Sequence, residues 1–405
     1  MFLTMCYKLC KPIKGAISMS LSQQMGEHIK AAQTWMSDRA KEKFGGDSPQ
    51  QRVLKRRFGI NEAAELCGVT SESIRKAESA GRLPTPDYKD SKAQRPIRAG
   101  YTLNQIEHMR SVFNTHPWRP EHLEAITVSV PGGKGGSWKT ATTAHFAQWL
   151  SLKGYRILLV DIDPQAHASM YFGFHPEINV SEADTILPFM LGEKDDLSYC
   201  VKETSWPNLD VIPSNLQLQR IESELHNAEI EYQPHQMLQA GIDGVKDHYD
   251  IVLIDGHPDL GIGTTNMICA SDVVLIATSA ETNDINSTCQ LMGLIKDIYH
   301  EDDGLDVSHE PYVRVLPTKL GAPNSSSLKN LSEMKIFWAG LPVEAGVHFT
   351  DEVGKGQRRM ATIYEQADSS ERSSPTAWKR ATEIFDATYN EILNDIIKPM
   401  WKEED

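Results

Sequence analysis

A chain of 405 residues that is 40% apolar and 24% charged has the length of two or three domains and an ordinary globular composition, and it holds no run of about 18 uninterrupted apolar residues, which excludes a helical membrane span. The formal charge of −14 excludes indiscriminate nucleic-acid binding by the whole surface, yet residues 51–110 carry twelve Lys/Arg against seven Asp/Glu and form a basic island. Cys6, Cys10, Cys67, Cys200, Cys269 and Cys289 are scattered with no Cys-x-x-Cys pair, which excludes a zinc or disulfide framework and suits a reducing cytoplasm.

In chain order, Lys8, Lys11 and Lys14 precede no apolar stretch of signal-peptide length, so the start is not read as targeting. Residues 18–44 predict a helix whose Met25, Ile29, Ala32 and Met36 line one stripe, to be packed against its own protein or used as a dimer contact. Gly45-Gly46-Asp47-Ser48-Pro49 reads as a linker closing an N-terminal extension over residues 1–48.

A second unit spans residues 49–118. Ala63 to Thr70 predict a first helix and a turn, and Ser71 caps a second helix with Ile74 and Ala77 on its inner side. Ala64, Gly68, Val69 and Ile74 stand where a helix-turn-helix needs a small residue, a tight turn and two apolar contacts. Ser71, Arg75 and Lys76 would then face DNA, with Arg82 leading into a wing built from Gly81-Arg82-Leu83-Pro84, Arg95, Arg98 and Gly100-Tyr101. The competing reading is a small helical packing unit with a solvated basic face. His116-Pro117-Trp118-Arg119-Pro120 marks its end.

From 119 to 405 the rhythm changes. Ala125–Val130, Arg156–Val160, Ile251–Ile254, Val273–Ala277 and Val313–Leu316 are short β-branched runs separated by helical stretches, the pattern of a doubly wound, mostly parallel α/β sheet. The first run enters Pro131-Gly132-Gly133-Lys134-Gly135-Gly136-Ser137-Trp138-Lys139-Thr140 and then a helix that Gly154 ends. Strand, glycine-rich loop and helix make a phosphate cradle of backbone N–H groups backed by a helix N-terminus. In that cradle Lys139 neutralises β- and γ-phosphates and the Thr140 hydroxyl ligates Mg²⁺, so the expected ligand is ATP with Mg²⁺. Trp138 stands where the general pattern has a glycine. Asp161 and Asp163 follow one strand and Asp255 ends another, and strand carboxyl ends in such sheets converge on the ligand, although any one of these acids taken alone could instead cap a helix or turn. Asp255 is the outer-sphere partner of the metal, and Asp163, which stands with Thr140 and Asp255 among the candidate metal residues, orients an attacking water. Near the C-terminus, Lys355, Arg358 and Arg359, with Arg372, Lys379 and Arg380, form a basic group that reads as a sequence-independent DNA surface or as a solvated face.

Lys134-Gly135-Gly136-Ser137-Trp138-Lys139-Thr140 resembles the deviant Walker A motif K-G-G-x-x-K-[ST] of ParA/MinD-type ATPases. With Asp163-Pro164-Gln165, Asp255, Asp259–Thr264 and Asp351–Gln357, the chain over about residues 45–401 is similar to the large plasmid-borne ParA-type partition ATPases. The resemblance implies a homodimer that sandwiches two ATPs, Lys134 reaching the other subunit's phosphates while Lys139 serves its own. It implies weak intrinsic hydrolysis, ATP-dependent DNA binding without sequence preference, a ParB-type centromere-binding partner that stimulates turnover, repression of its own operon by the N-terminal unit, and a cytoplasmic, nucleoid-associated location. Three other readings compete. A MinD-like membrane ATPase needs a basic amphipathic C-terminal helix, whereas Lys398 to Asp405 is acidic and broken by Pro399. A repressor that uses ATP only as a conformational ligand needs no turnover. An iron–sulfur carrier of the same superfamily would need cysteines beside the loop.

Overall fold

The computed structural model describes residues 20–44, 52–89, 97–225, 232–321, 326–366 and 369–402. Its first helix, α1 (Leu21–Phe44), leaves Met25, Ile29 and Ala32 exposed, so this part of the stripe does not pack against its own chain. The expected linker at 45–49 and the side chain of Met36 lie outside the described residues.

Helices α2 (Ile60–Leu66) and α3 (Ser71–Ser79) are joined by a tight turn in which Gly68 takes φ +64°. Ala63, Ala64, Cys67, Ile74 and Ala77 close on one another as a small core. The cap of α3 is Thr70, a correction to the expectation for Ser71. Thr70 has the extended backbone of a cap and its hydroxyl accepts from the Ser73 amide at 3.1 Å, while Ser71 is already inside the helix. A capping box of Thr102 and Gln105 opens α4 (Leu103–Phe113). Between α3 and α4 the Lys89 amide donates to the Ile97 carbonyl and the Ala99 amide to the Asp87 carbonyl, so two short extended pieces run antiparallel. Arg95 lies outside the described residues.

The basic count of this unit overstates its basic surface. Arg52 and Arg110 are buried, and Arg98 is clamped on Glu78 at 2.7 Å, with Tyr101 donating to the same carboxylate. These guanidiniums serve packing because each has found carbonyls or a carboxylate to satisfy it. The segment after α4 is equally fixed: Trp118 stacks on His116 with centroids 4.2 Å apart and donates to the Gly154 carbonyl, and buried Arg119 donates to the Tyr249 carbonyl.

Among the described residues seven strands form one sheet in the order β3-β4-β2-β5-β1-β6-β7, with β1 (Ile126–Val130), β2 (Ile157–Asp161), β3 (Lys202–Glu203), β4 (Leu209–Ile212), β5 (Ile251–Asp255), β6 (Val273–Thr278) and β7 (Tyr312–Pro317). All neighbours are parallel except β3 against β4. The five expected strands are present; β3 and β4 are additional. Successive residues of a strand point to opposite faces, so Ile157 and Leu159 join one core and Leu158 and Val160 another. The first core holds α5 (Lys139–Lys153) and, much later in the chain, α14 (Pro375–Glu391); the second holds α7 (Leu187–Met190), α9 (Met237–Asp243) and α10 (Ile262–Cys269). Between them in sequence lie α6 (His167–Tyr171), α8 (Arg220–Glu224), α11 (Thr282–Ile298), α12 (Ser326–Phe337) and α13 (Asp351–Gln357). Among the described residues no helix is long and apolar enough to cross a membrane.

Candidate nucleotide site

Register decides which acids meet. Val130 and Asp161 both align with Asp255, so β1, β5 and β2 end level and the phosphate loop starts beside two carboxylates. Ser137 to Thr140 are drawn inward. Ser137 is buried, and its carbonyl accepts from the hydroxyl of Thr318, just beyond β7, at 2.5 Å. Gly136 at φ +90° and Trp138 at φ +60° supply the two left-handed residues that curl the loop. For a side chain as large as tryptophan this is strained backbone, retained where surrounding contacts over-determine it. One such contact is the stack of its indole on Phe349, centroids 5.4 Å apart.

The two lysines diverge. Lys139 has a side chain 7% exposed whose Nζ lies 3.8 Å from Asp163 Oδ2, inside its own subunit. Lys134 has a side chain 51% exposed and pairs at 3.2 Å with Asp284 at the start of α11, whose other oxygen accepts from the Ser279 hydroxyl. Gly133 lies so close to the Ser287 carbonyl of the same helix that a Cβ there would overlap it.

Asp255 is fully buried. Thr143 donates to its Oδ1 at 3.2 Å, the nearby Thr140 hydroxyl favours its charged form, and Oδ2 has no hydrogen-bond partner among the described residues. Burial raises its pKa, and the charge of Lys139 works in the opposite direction. An orphaned carboxylate oxygen beside a threonine hydroxyl fits a hydrated Mg²⁺, whose remaining ligands would be waters and phosphate oxygens. Among the described residues no group of three or more His, Cys, Asp or Glu could hold a metal ion.

Asp161 takes a different place from the one expected of a nucleotide ligand. Its Oδ1 accepts from the Asp163 amide at 3.1 Å, and its Oδ2 accepts from the Ser169 amide and hydroxyl at 2.8 and 2.6 Å. Both oxygens are used by protein donors, so Asp161 orients Asp163 from behind. Its pKa is pushed up to about 8, by burial first and then by neighbouring Asp255.

A cleft of about 370 Å³ runs along Lys134 to Ala141 and is closed opposite by Met170, Tyr171, Gln357 and Met360. A second cavity of about 400 Å³ shares no residue with the loop; His257 and Asp259, which pair at 3.1 Å, stand at it. The chemistry belongs to the first, which holds both lysines.

The DNA candidates stand apart from the cleft in kind. Arg75, Lys76 and Arg82 are exposed, Lys76 pairing with Glu72 and Arg82 lying over the Phe113 ring, while Ser71 is half-buried at the start of α3. Arg358 and Arg359 are exposed at the end of α13 and Lys355 is half-buried on it. Arg372 is used otherwise: it donates to the Gln366 carbonyl and sits 3.8 Å from the Trp378 ring centroid. Sequence reasoning missed Thr143, Asp284, Ser287 and Thr318, polar residues of common type far from the motif. Their signal was position: Thr143 one turn after Lys139, the others just beyond β6 and β7.

A family model described as an AAA domain matches residues 125–307. Protein SopA of Escherichia coli (strain K12) is 43% identical over 390 residues, spanning 95% of this chain and 100% of SopA. A solved partition protein superposes with a TM-score of 0.58 at 18% identity, over 90% of this chain and 98% of that one. Cobyrinic acid a,c-diamide synthase from Mycobacterium smegmatis, solved with a bound ATP analog and magnesium, has a TM-score of 0.52 at 23% identity, covering 69% and 96% of the two chains. At these identities the two structures share a fold with this chain.

Proposed function

The chain belongs to the ParA-type partition ATPases, the family of SopA, and on that premise we propose that it is an ATP-driven DNA segregation factor working as a nucleotide-sandwich dimer. The observation that carries this reading is the divergence of the two lysines, one buried on Asp163 and the other half-exposed on Asp284.

In each subunit the loop amides and the N-terminus of α5 hold the phosphates of ATP, and Lys139 neutralises them. Thr140 and Asp255 would hold Mg²⁺, which when bound would screen phosphate charge as a Lewis acid. Asp163, oriented by the Asp161 carboxylate, holds the water for in-line attack. Lys134 leaves Asp284 and reaches the phosphates of the second subunit, so that hydrolysis needs a dimer.

The unit over residues 49–118 acts as a winged helix-turn-helix that represses its own operon through Ser71, Arg75, Lys76 and Arg82. Lys355, Arg358 and Arg359 bind nucleoid DNA without sequence preference in the ATP-bound dimer, and a ParB-type centromere-binding protein stimulates hydrolysis and release. Ile392, Leu393, Ile396 and Ile397 are buried in the core beside α14, so this stretch presents no free apolar face to a membrane surface.

The deciding experiment measures ATP hydrolysis with DNA alone, with the partner alone and with both. Strong synergy of DNA and partner is expected; equal rates in all three conditions would overturn the reading in favour of a repressor that uses ATP as a conformational ligand.

A further inference from the structure

Arg52 takes no part in the functions above. It lies on an extended segment leading into the N-terminal unit, where Phe58 pairs antiparallel with Tyr101. Its side chain is 2% exposed. The guanidinium donates through Nη1 to the Tyr171 carbonyl and through Nη2 to the Met360 carbonyl at 3.1 Å, and it pairs with Glu365 at 2.5 Å.

Those two carbonyls are not arbitrary. Tyr171 ends α6, the helix that follows Asp163, and Met360 ends the turn after α13; both line the cleft opposite the phosphate loop. Met360 is left-handed at φ +49°, a conformation that a side chain bearing a Cβ keeps only when its surroundings hold it. The anchor beneath is also fixed: Glu365 accepts from Gln148 of α5 at 2.8 Å and from the Trp206 indole at 3.1 Å. One guanidinium thus joins the far wall of the cleft to the helix that carries the loop.

We propose that Arg52 is a positioning residue for the nucleotide cleft, holding the wall formed by Tyr171 and Met360 at its working distance from the loop and making that wall depend on the segment that carries the N-terminal unit. The inference rests on the nucleotide reading of the cleft. Arginine suits the task because its planar, permanently charged fork offers five donors and serves two carbonyls and a carboxylate together; lysine offers a point charge and cannot keep that geometry. The same segment is fastened again where Arg56 donates to the Tyr364 carbonyl at 2.9 Å and pairs with Glu62 of α2 at 2.6 Å. A shift of the N-terminal unit therefore reaches the cleft wall through a short stretch of backbone. By linkage, occupancy of the cleft is felt by that unit to the same extent.

The test uses the full chain and a fluorescent ATP analogue bearing a methylanthraniloyl group, with melting temperatures recorded for every variant. The double variant Arg52→Met, Glu365→Gln removes both charges and leaves no lone buried carboxylate. It is expected to weaken analogue binding and raise KM about tenfold while kcat stays within about twofold. Arg52→Lys should fall between it and the parent. Arg56→Met, which cuts the segment's bond to Tyr364 without touching the wall, should bind as the parent does. Parental affinity in the double variant overturns the proposal, and so does an equal loss in Arg56→Met, which would mean general loosening. If the double variant does not fold, Arg52→Lys decides, unchanged affinity being the overturning result. A parent chain that binds no analogue removes the nucleotide reading itself, and this inference with it.

Discussion

The two halves of the phosphate loop are built differently. Ser137 to Thr140 are tied into the core by Thr318 and Asp163, whereas Gly133 lies on the flank of α11 and Lys134 is held by one ion pair at its edge. A preformed half suits a task performed in every subunit at all times, and a lightly held half suits one performed only when a second subunit arrives. Conformational freedom is thus distributed within eight residues of loop.

The comparison breaks most sharply at the lysines. Lys139→Ala removes a buried cation from two carboxylates and the phosphates, and a loss of nucleotide affinity of about a hundredfold is expected from charge-assisted bonds of this kind; titration with a fluorescent nucleotide reads it, and parental affinity would refute the assignment. Lys134→Ala should keep affinity within a few-fold yet lose ATP-dependent dimerisation, seen by light scattering, and about tenfold or more of turnover.

A third prediction concerns the anchor of the fixed half. His145 on α5 is completely buried, its Nδ1 on the Ala141 carbonyl at 2.6 Å and its Nε2 accepting from the Ile363 amide at 3.2 Å, and burial lowers its pKa to about 4. The folded pKa lies below the unfolded value of 6.5, so the contribution is present above pH 6.5 and is lost as pH falls toward 4. Between pH 7 and 5 the parent should lose about 2 kcal/mol more stability than His145→Gln, as read by urea unfolding. Equal slopes would show that the histidine titrates freely.

Asp284→Asn tests the loose half. Lys134 is half-exposed although Asp284 is largely buried, and pairs open to solvent on one side contribute up to about 1 kcal/mol before screening, so ATP-dependent dimerisation should strengthen about two- to fivefold; weaker dimerisation would mean that Asp284 helps the dimer instead of restraining Lys134. The smallest effect is expected for Trp138→Gly. Relief of left-handed backbone and loss of the Phe349 stack oppose each other at about 1 kcal/mol each, leaving the midpoint of thermal unfolding nearly unchanged.

Legibility in the sequence followed the same division. The parallel strands could be read because burial on both faces forces unbroken β-branched runs, and the loop because glycines and lysines at fixed spacing have few other uses. Strands β3 and β4 escaped notice, one being two residues long and the other interrupted by Asp210. Asp161 was placed on the nucleotide because a strand-end carboxylate looks the same in sequence whether it faces ligand or backbone amide. Arg52 and Arg110 swell the basic count of residues 51–110 for a related reason: composition cannot tell a solvated guanidinium from one enclosed by carbonyls.

Arg110 carries that point to the far end of the loop helix. It donates to the Leu66 and Leu152 carbonyls, and Gly154, where α5 stops, leaves the space its guanidinium fills, since a Cβ there would lie 2.7 Å from Nε. The helix is therefore anionic-ligand-ready at one end and plugged by a cation from another unit at the other, favourable at both poles of its dipole. A shortened protein beginning at Pro120 would carry an open socket at Gly154 and bare carbonyls behind its nucleotide. The part of this chain that looks most self-sufficient in sequence is, at that socket, finished by its neighbour.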